Sequence, residues 1–278
     1  MKAKILASMM LLSGIGAWVW TACDKISEDE TRISVDLPEW QGKYVVLEDF
    51  TGVGCTNCPD AANIAHGLQT LMGDRIIVVE LHAATEALAP LTTPRVEGEV
   101  NLVSADATTY AAYWQVVGLP AGLINRKQAP GETLARGRWR GQAISVYGEV
   151  PVATIEATAS LSGSTISVSA NGLFPQAYKD SGDIRVVTMI LEDGFSVTQV
   201  VSGEEQAGYV HNHVLRRTID AWGVKVLDGV PSDSTVFDYA GTVGVDPNWN
   251  TANLSVAVML CNGETREILN ATKVGLNQ

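Results

Sequence analysis

The feature that most constrains the fold is a pair of cysteines between a strand-like and a helix-like segment. The motif reads Cys55-Thr56-Asn57-Cys58-Pro59. Residues 44–50 are rich in β-branched and aromatic side chains and run into a glycine-containing loop, which predicts a strand and a tight turn. Pro59 suits the first turn of a helix, and apolar residues then recur at helical spacing until Gly73. The two thiols can close and reopen a disulfide, because a helix N-terminus favours the thiolate of Cys55.

The N-terminal residues indicate export and lipid attachment. Two lysines precede an apolar run over residues 5–20, which is the composition of a secretory signal. Small residues before Cys23 resemble a bacterial lipoprotein signal, so residues 1–22 are predicted to be removed. Residues 23–37 would then form an acidic tether, and acyl chains on Cys23 would hold the protein at a membrane surface. An ordinary signal peptide cut nearby, which would leave Cys23 as a free thiol, is the alternative.

Charge and length limit the class of protein. The chain of 278 residues has 31 acidic and 19 basic side chains and a formal net charge of −12. Such a chain is not expected to bind nucleic acid or anionic lipid by charge. Its length and its 46% of hydrophobic residues allow two modest domains, each with its own core.

The pattern of predicted elements changes near residue 148. Residues 38–147 alternate strand and helix, with a polar, proline-containing insertion at 83–105 and a short strand after Pro120. Residues 148–278 contain short strands separated by Gly, Asn and Asp, without helical periodicity. We therefore predict an α/β domain followed by an all-β antiparallel sandwich domain, Ig-like in general shape.

Several residues around the cysteine motif resemble those of the thioredoxin fold. Asp49-Phe50 precedes the motif at the spacing of the buried aspartate of that family and its following aromatic residue. Gly118-Leu119-Pro120 resembles the loop whose cis-proline faces the two cysteines. The resemblance implies that Asp49 tunes the proton balance of Cys58 and that Pro120 binds the backbone of a substrate. Gly54 departs from the family, which usually has an aromatic residue there.

A closer resemblance covers almost the whole chain. It is carried by residues 47–52 (LEDFTG), the cysteine motif, the lipoprotein start and residues 211–216 (HNHVLR). Together they resemble the twenty-eight-kilodalton outer-membrane lipoprotein family of Gram-negative anaerobes. Its members are described as a thioredoxin-like domain followed by a β-rich domain. The resemblance implies a lipid-anchored protein of the outer membrane that faces the periplasm or is exposed at the surface.

The residues leave two functions open, and with them whether the chain is an enzyme. In one, Cys55 exchanges disulfides with a protein partner, Cys58 resolves the mixed disulfide and Asp49 shuttles the proton. In the other, which we favour as the physiological role, the protein displays a binding surface and the two cysteines form a static bridge. The lipid, the tether and a β-rich half without a catalytic motif favour display. Neither function requires a cofactor, and structural zinc at the cysteines is disfavoured because no second cysteine pair exists.

Three histidines and one further cysteine are the remaining candidates. His211 and His213 would share a face on a strand and could bind a metal, but no third ligand can be named. A polar sheet face, or a contact with the first domain, is the favoured interpretation. His82 ends a predicted central strand and is expected either to hydrogen-bond near the thiols or to position a loop. Cys261 lies in an apolar strand-like run and is predicted to be a buried, inert thiol.

Overall fold

The computed structural model of the chain describes residues 37–276. The predicted signal at residues 1–22, the lipidation site Cys23 and all of the predicted tether except its last residue lie outside the described residues. Among the described residues, no helix is long and apolar enough to cross a membrane.

The first part of the described chain alternates strands and helices, as predicted. Its elements are β1 (Val45–Thr51), α1 (Cys58–Met72), β2 (Ile76–His82), α2 (Ala89–Thr92), α3 (Ala105–Tyr113), β3 (Ala121–Ile124) and α4 (Trp139–Tyr147). Strand β1 pairs with β2 in parallel and with β3 in antiparallel orientation. Helix α1 begins with Cys58 and Pro59 and ends before Gly73, whose φ of 60° suits a glycine. The strand, the cysteine motif and the helix therefore follow one another as the sequence predicts.

The second part is built from antiparallel strands. They are β4 (Glu156–Ser162), β5 (Thr165–Phe174), β6 (Ile184–Glu192), β7 (Phe195–Val201), β8 (Glu204–His211), β9 (Val214–Thr218), β10 (Val224–Leu227), β11 (Thr235–Gly244), β12 (Leu254–Asn262) and β13 (Ile268–Gly275). Beyond residue 148, the only helical element in the described part of the chain is one turn of 3-10 helix at Thr251–Asn253. An α/β part followed by a β-rich part is therefore confirmed.

One eight-stranded sheet contains strands from both parts. Its order is β13-β12-β6-β9-β2-β1-β3, and β10 pairs with β6 beside β9. The two parts join where β9 meets β2 in a single parallel pairing of Glu80 with Val214. Strands and helices alternate up to Tyr147 and strands predominate after it, while one sheet is shared by these two parts of the chain.

Three clusters of buried hydrophobic side chains pack against the two faces of this sheet. Helices α1 and α4 cover one face of β1 and β2, where Leu47, Leu68 and Trp139 are buried together. Helix α3 lies on the other face, where Tyr110 and Trp114 pack with Phe50. A separate sheet of β11, β5 and β4 packs against β6 and β12. The second part therefore contains antiparallel strands in two sheets that share a core, and one of these is the sheet shared with the first part.

Candidate functional site

Cys55 and Cys58 are joined by a disulfide at the start of α1. Cys58 is the first residue of the helix, and its backbone N–H donates to the carbonyl of Cys55 at 3.3 Å. Both residues are nearly inaccessible, with 3% and 2% of their surfaces exposed. The disulfide therefore lies beneath other parts of the protein.

Asp49 is a fully buried carboxyl on the strand that leads into the cysteine motif. It lines a small cleft of about 220 Å³ together with Ala62, which is one helical turn beyond Cys58. Its Oδ1 atom has no hydrogen-bond partner. Burial raises the pKa of Asp49 well above its usual range, and the negative charge of Glu80 raises it further. Asp49 therefore keeps its proton to a higher pH than an exposed aspartate does.

A second buried polar group lies beside Asp49 on the neighbouring strand. Glu80 is the register partner of Asp49, and its Oε2 lies 3.1 Å from Nδ1 of His211 and 3.5 Å from Nε2 of His82. Burial raises the pKa of Glu80, but the contacts with the two histidines outweigh burial and lower that pKa to about 2. Burial is also the main cause that lowers the pKa of His82.

Pro120 directly precedes β3 and lies beside the carboxyl end of β1. The Leu119–Pro120 peptide bond is cis. Ala121 is paired with Phe50, so Pro120 lies beside the last residue of β1, Thr51. Asp49, the disulfide and Pro120 are thus grouped around the point where β1 ends.

The segment at 83–105, predicted as an insertion over one face, covers the loop before the disulfide. The carbonyl of Leu91 accepts a hydrogen bond of 2.8 Å from the N–H of Gly54. A Cβ atom on Gly52 would collide with the same carbonyl. At Gly54 a Cβ would lie 3.2–3.3 Å from the backbone of Pro90 and Leu91. A side chain at position 54 would therefore press against the backbone of this segment, which favours glycine there.

Strand β7 closes the other side of the motif. Nε2 of the buried Gln199 donates to the carbonyls of Cys55 at 3.0 Å and Gly52 at 3.3 Å. The N–H of Val200 donates to the carbonyl of Val53 at 2.8 Å. The β-rich part therefore contributes directly to the surroundings of the disulfide.

The two histidines near residue 212 do not form a common site. Strand β8 ends at His211, and His213 has a positive φ of 59°. The side chain of His213 turns towards Asp193 and Gln69, each at 3.0 Å, whereas His211 faces Glu80. The expectation of a shared strand face is therefore wrong, and the expected contact with the first part of the chain is present.

Two residues around the site, Glu80 and Gln199, were not predicted from the sequence. Glu80 interrupts an otherwise apolar strand two positions before His82, and that spacing places both side chains on one face. This acid in an apolar strand was a signal from which a polar contact with His82 could have been predicted. Gln199 has no such signal, because its role depends on main-chain carbonyls of a distant loop. Cys261 is buried as predicted, and burial raises its pKa to about 12.

Comparison with known proteins identifies the family. HBP35 of Porphyromonas gingivalis has a similar structure, with a TM-score of 0.65 and 15% identity over 86% of this chain and 76% of that one. A domain of the outer membrane lipoprotein Omp28 from Porphyromonas gingivalis aligns with 46% of this chain and 91% of its own, at 20% identity and a TM-score of 0.33. No curated protein matches the sequence. The family described as outer membrane protein Omp28 matches residues 107–278, which is more than half of the chain. The chain therefore belongs to the Omp28 family of outer membrane proteins.

Proposed function

We propose that this protein exchanges disulfides with a protein partner in the cell envelope, through Cys55 and Cys58. Family membership places the protein at the outer membrane. Lipid on Cys23 would provide its attachment there, and the acidic residues that follow would be its tether. The partner is a protein thiol or disulfide, and no nucleic acid or further cofactor takes part.

The arrangement around the motif supports a thioredoxin-like domain over residues 38–147, followed by a β-sandwich domain over 148–278. The parallel pair β1 and β2 is connected through α1, and β3 returns antiparallel on the other side of β1. The cis-proline directly precedes β3, and α4 follows it. These are the relationships that the sequence resemblance implies.

The observation that carries the proposal is the placement of Asp49. A carboxyl buried without a hydrogen-bond partner on Oδ1 costs free energy of folding. A static disulfide gains nothing from such a group on the strand that leads into it. A disulfide that opens does gain, because the departing sulfur of Cys58 needs a proton donor within the protein. Perturbed carboxyls of this kind are concentrated at sites of chemistry.

The exchange balances as a two-electron transfer from a partner dithiol to the disulfide. A partner thiolate attacks Sγ of Cys55, the bond between the two cysteine sulfurs breaks, and Cys58 leaves as a thiolate that takes the proton of Asp49. The second thiolate of the partner then attacks the partner's first sulfur, which is bonded to Cys55 in the mixed disulfide. A disulfide forms within the partner, and Cys55 is released as a thiolate. The partner is oxidised and the Cys55–Cys58 pair is reduced. The reverse sequence reduces a partner disulfide.

A static bridge in a displayed binding protein is the second candidate, and one observation favours it. The two cysteines are almost completely buried beneath the 83–105 segment and β7. Thr198 of β7 also holds Glu99 of that segment through a hydrogen bond of 2.7 Å. Exchange therefore requires this cover to move, whereas a static bridge does not.

Trapping of the partner tests the proposal. The Cys58→Ser variant of the full chain, expressed in its own host, keeps Cys55 but cannot resolve a mixed disulfide. We expect partners bound through Cys55 that a thiol reductant releases. The matched control is Cys261→Ser, in which the motif is intact and no trapped partner is expected. Absence of trapped partners, together with a wild-type disulfide that resists dithiols, would contradict exchange and favour the static bridge.

A further inference from the structure

We infer that Glu80, His82 and His211 form a binding site for a divalent transition metal of the zinc class. The inference uses residues other than the two cysteines and does not depend on disulfide exchange. One ligand atom from each of the three residues can be chosen so that all lie within 4.8 Å of one another. Two imidazoles and one carboxylate are a donor set that zinc commonly takes in proteins.

The distances fit a metal centre. Oε2 of Glu80 lies 3.1 Å from Nδ1 of His211 and 3.5 Å from Nε2 of His82. In a tetrahedral zinc site with bonds of about 2.0–2.1 Å, neighbouring ligand atoms lie roughly 3.3–3.4 Å apart. The two observed distances lie on either side of that value. The histidine rings are 5.2 Å apart and inclined at 74°, so they approach the carboxylate from different directions.

Unsatisfied nitrogens point to a missing ligand. Neither ring nitrogen of His82 has a hydrogen-bond partner, although its side chain is wholly buried. Nε2 of His211 is also buried without a partner. Buried polar atoms are nearly always paired, and leaving one unpaired destabilises the protein. A metal bound through Nε2 of His82 and Nδ1 of His211, the two nitrogens that face Glu80, would give the unpaired His82 a partner.

The secondary structure holds the three residues firmly. Glu80 and His82 are two positions apart on the central strand β2 and therefore lie on the same face. His211 is the last residue of β8, and the ring of Tyr209 packs against it at 4.9 Å. Arg216, a cation whose charge reaches His82, is paired with Glu192 at 3.3 Å.

A route for the ion is present. Glu80 lines the cleft of about 220 Å³ that Asp49 and Tyr209 also line, and 12% of its side chain is exposed. The two histidines lie behind it with at most 3% exposed. Three protein ligands would leave one position of the metal for water or a small ligand, which is the arrangement of open rather than purely structural zinc sites.

Zinc titration of the oxidised full chain in detergent tests the inference. The protein is stripped with a chelator, dialysed and titrated with zinc chloride in a calorimeter. We expect one ion per chain at micromolar affinity or better. His82→Asn and His211→Asn should each weaken binding by at least about 100-fold. Glu156→Gln is the control, because Glu156 is an exposed acid on β4 that does not line the cleft, and the affinity of this variant should equal that of the wild type.

Two further measurements keep the outcome decisive. Histidine ring resonances of His82 and His211 in the wild type should shift on adding zinc, and this requires no variant to fold. A double Cys55→Ser, Cys58→Ser variant should keep its affinity, which excludes binding by thiols. The inference is overturned if the wild type takes up no stoichiometric zinc, if the resonances of His82 and His211 do not move, or if folded His82→Asn binds as tightly as the wild type.

Discussion

A buried ion pair on the face of β1 opposite Asp49 provides a quantitative test of how the fold is held together. Arg126 donates two hydrogen bonds to Glu48, at 2.8 and 2.6 Å, and both side chains are 1% exposed. The guanidinium also lies over the ring of Tyr110 at 4.7 Å. We predict that Glu48→Gln strongly destabilises the protein, because it leaves a cation buried without its counter-charge.

The expected magnitude follows from the two bonds. The amide oxygen of the new Gln can accept one of the two bonds, but its NH2 group cannot accept the other, and the charge of Glu48 is lost. Removing one partner of a buried pair typically costs about 3–5 kcal/mol. The contact of Arg126 with Tyr110 is present in both proteins and does not change the difference. We therefore expect the free energy of unfolding to fall by about 3–5 kcal/mol.

Urea unfolding followed by circular dichroism measures this change. The matched control is Glu205→Gln, which breaks the pair of Glu205 with Arg95, whose side chains are 49% and 36% exposed. That variant should lose at most about 1 kcal/mol. Replacing both members of the buried pair, by Glu48→Leu and Arg126→Met, should recover much of the loss, because no charge is then left unpaired. A Glu48→Gln variant within 1 kcal/mol of the wild type would refute the reasoning.

Three other expectations concern the surroundings of the disulfide and the remaining thiol. Because burial raises the pKa of Cys261 to about 12, a thiol-alkylating reagent at pH 8 should label it only after unfolding, and labelling of the native protein would contradict this. Folding raises the pKa of Asp49 above its ordinary value of about 3.9. Below that value Asp49 is protonated in both the folded and the unfolded state and does not lower the stability of the protein. As the pH rises from there through the folded pKa, the buried carboxyl increasingly destabilises the folded state. Asp49→Asn should therefore gain stability over the wild type increasingly between pH 4 and 7 in urea unfolding, and a gap that does not widen would show the carboxyl is not buried as described. Gly52→Ala should push the carbonyl of Leu91 away and speed reduction of the disulfide by dithiothreitol several-fold, whereas Gly67→Ala, which meets no atom within 4 Å, should leave the rate unchanged.

Local patterns predicted the part of the fold around the cysteines. The strand β1 and the helix α1 follow from β-branched residues, a proline in the first turn and apolar residues at helical spacing. Because side chains alternate along β1, the adjacent acids Glu48 and Asp49 lie on opposite faces of the sheet. Glu48 faces Arg126, and Asp49 faces α1. These features depend on neighbours in sequence, and such neighbours are visible without a structure.

Long-range contacts could not be predicted in the same way. The shared sheet depends on one pairing of Glu80 with Val214, which are 134 positions apart and carry no common motif. The cover over the disulfide is formed by the main-chain carbonyl of Leu91, and no side-chain pattern encodes such a contact. The prediction that His211 and His213 share a strand face failed because His213 adopts a positive φ, which ends the alternation of β8.

The reduction potential of the Cys55–Cys58 pair is the most direct test of disulfide exchange. The oxidised full chain is equilibrated in dithiothreitol buffers of graded ratio, and the reduced fraction is counted by alkylation of the two thiols. An exchange site should titrate above about −270 mV, in the range of thiol–disulfide oxidoreductases. A potential below about −300 mV, where structural disulfides lie, would contradict exchange and identify the pair as a static bridge.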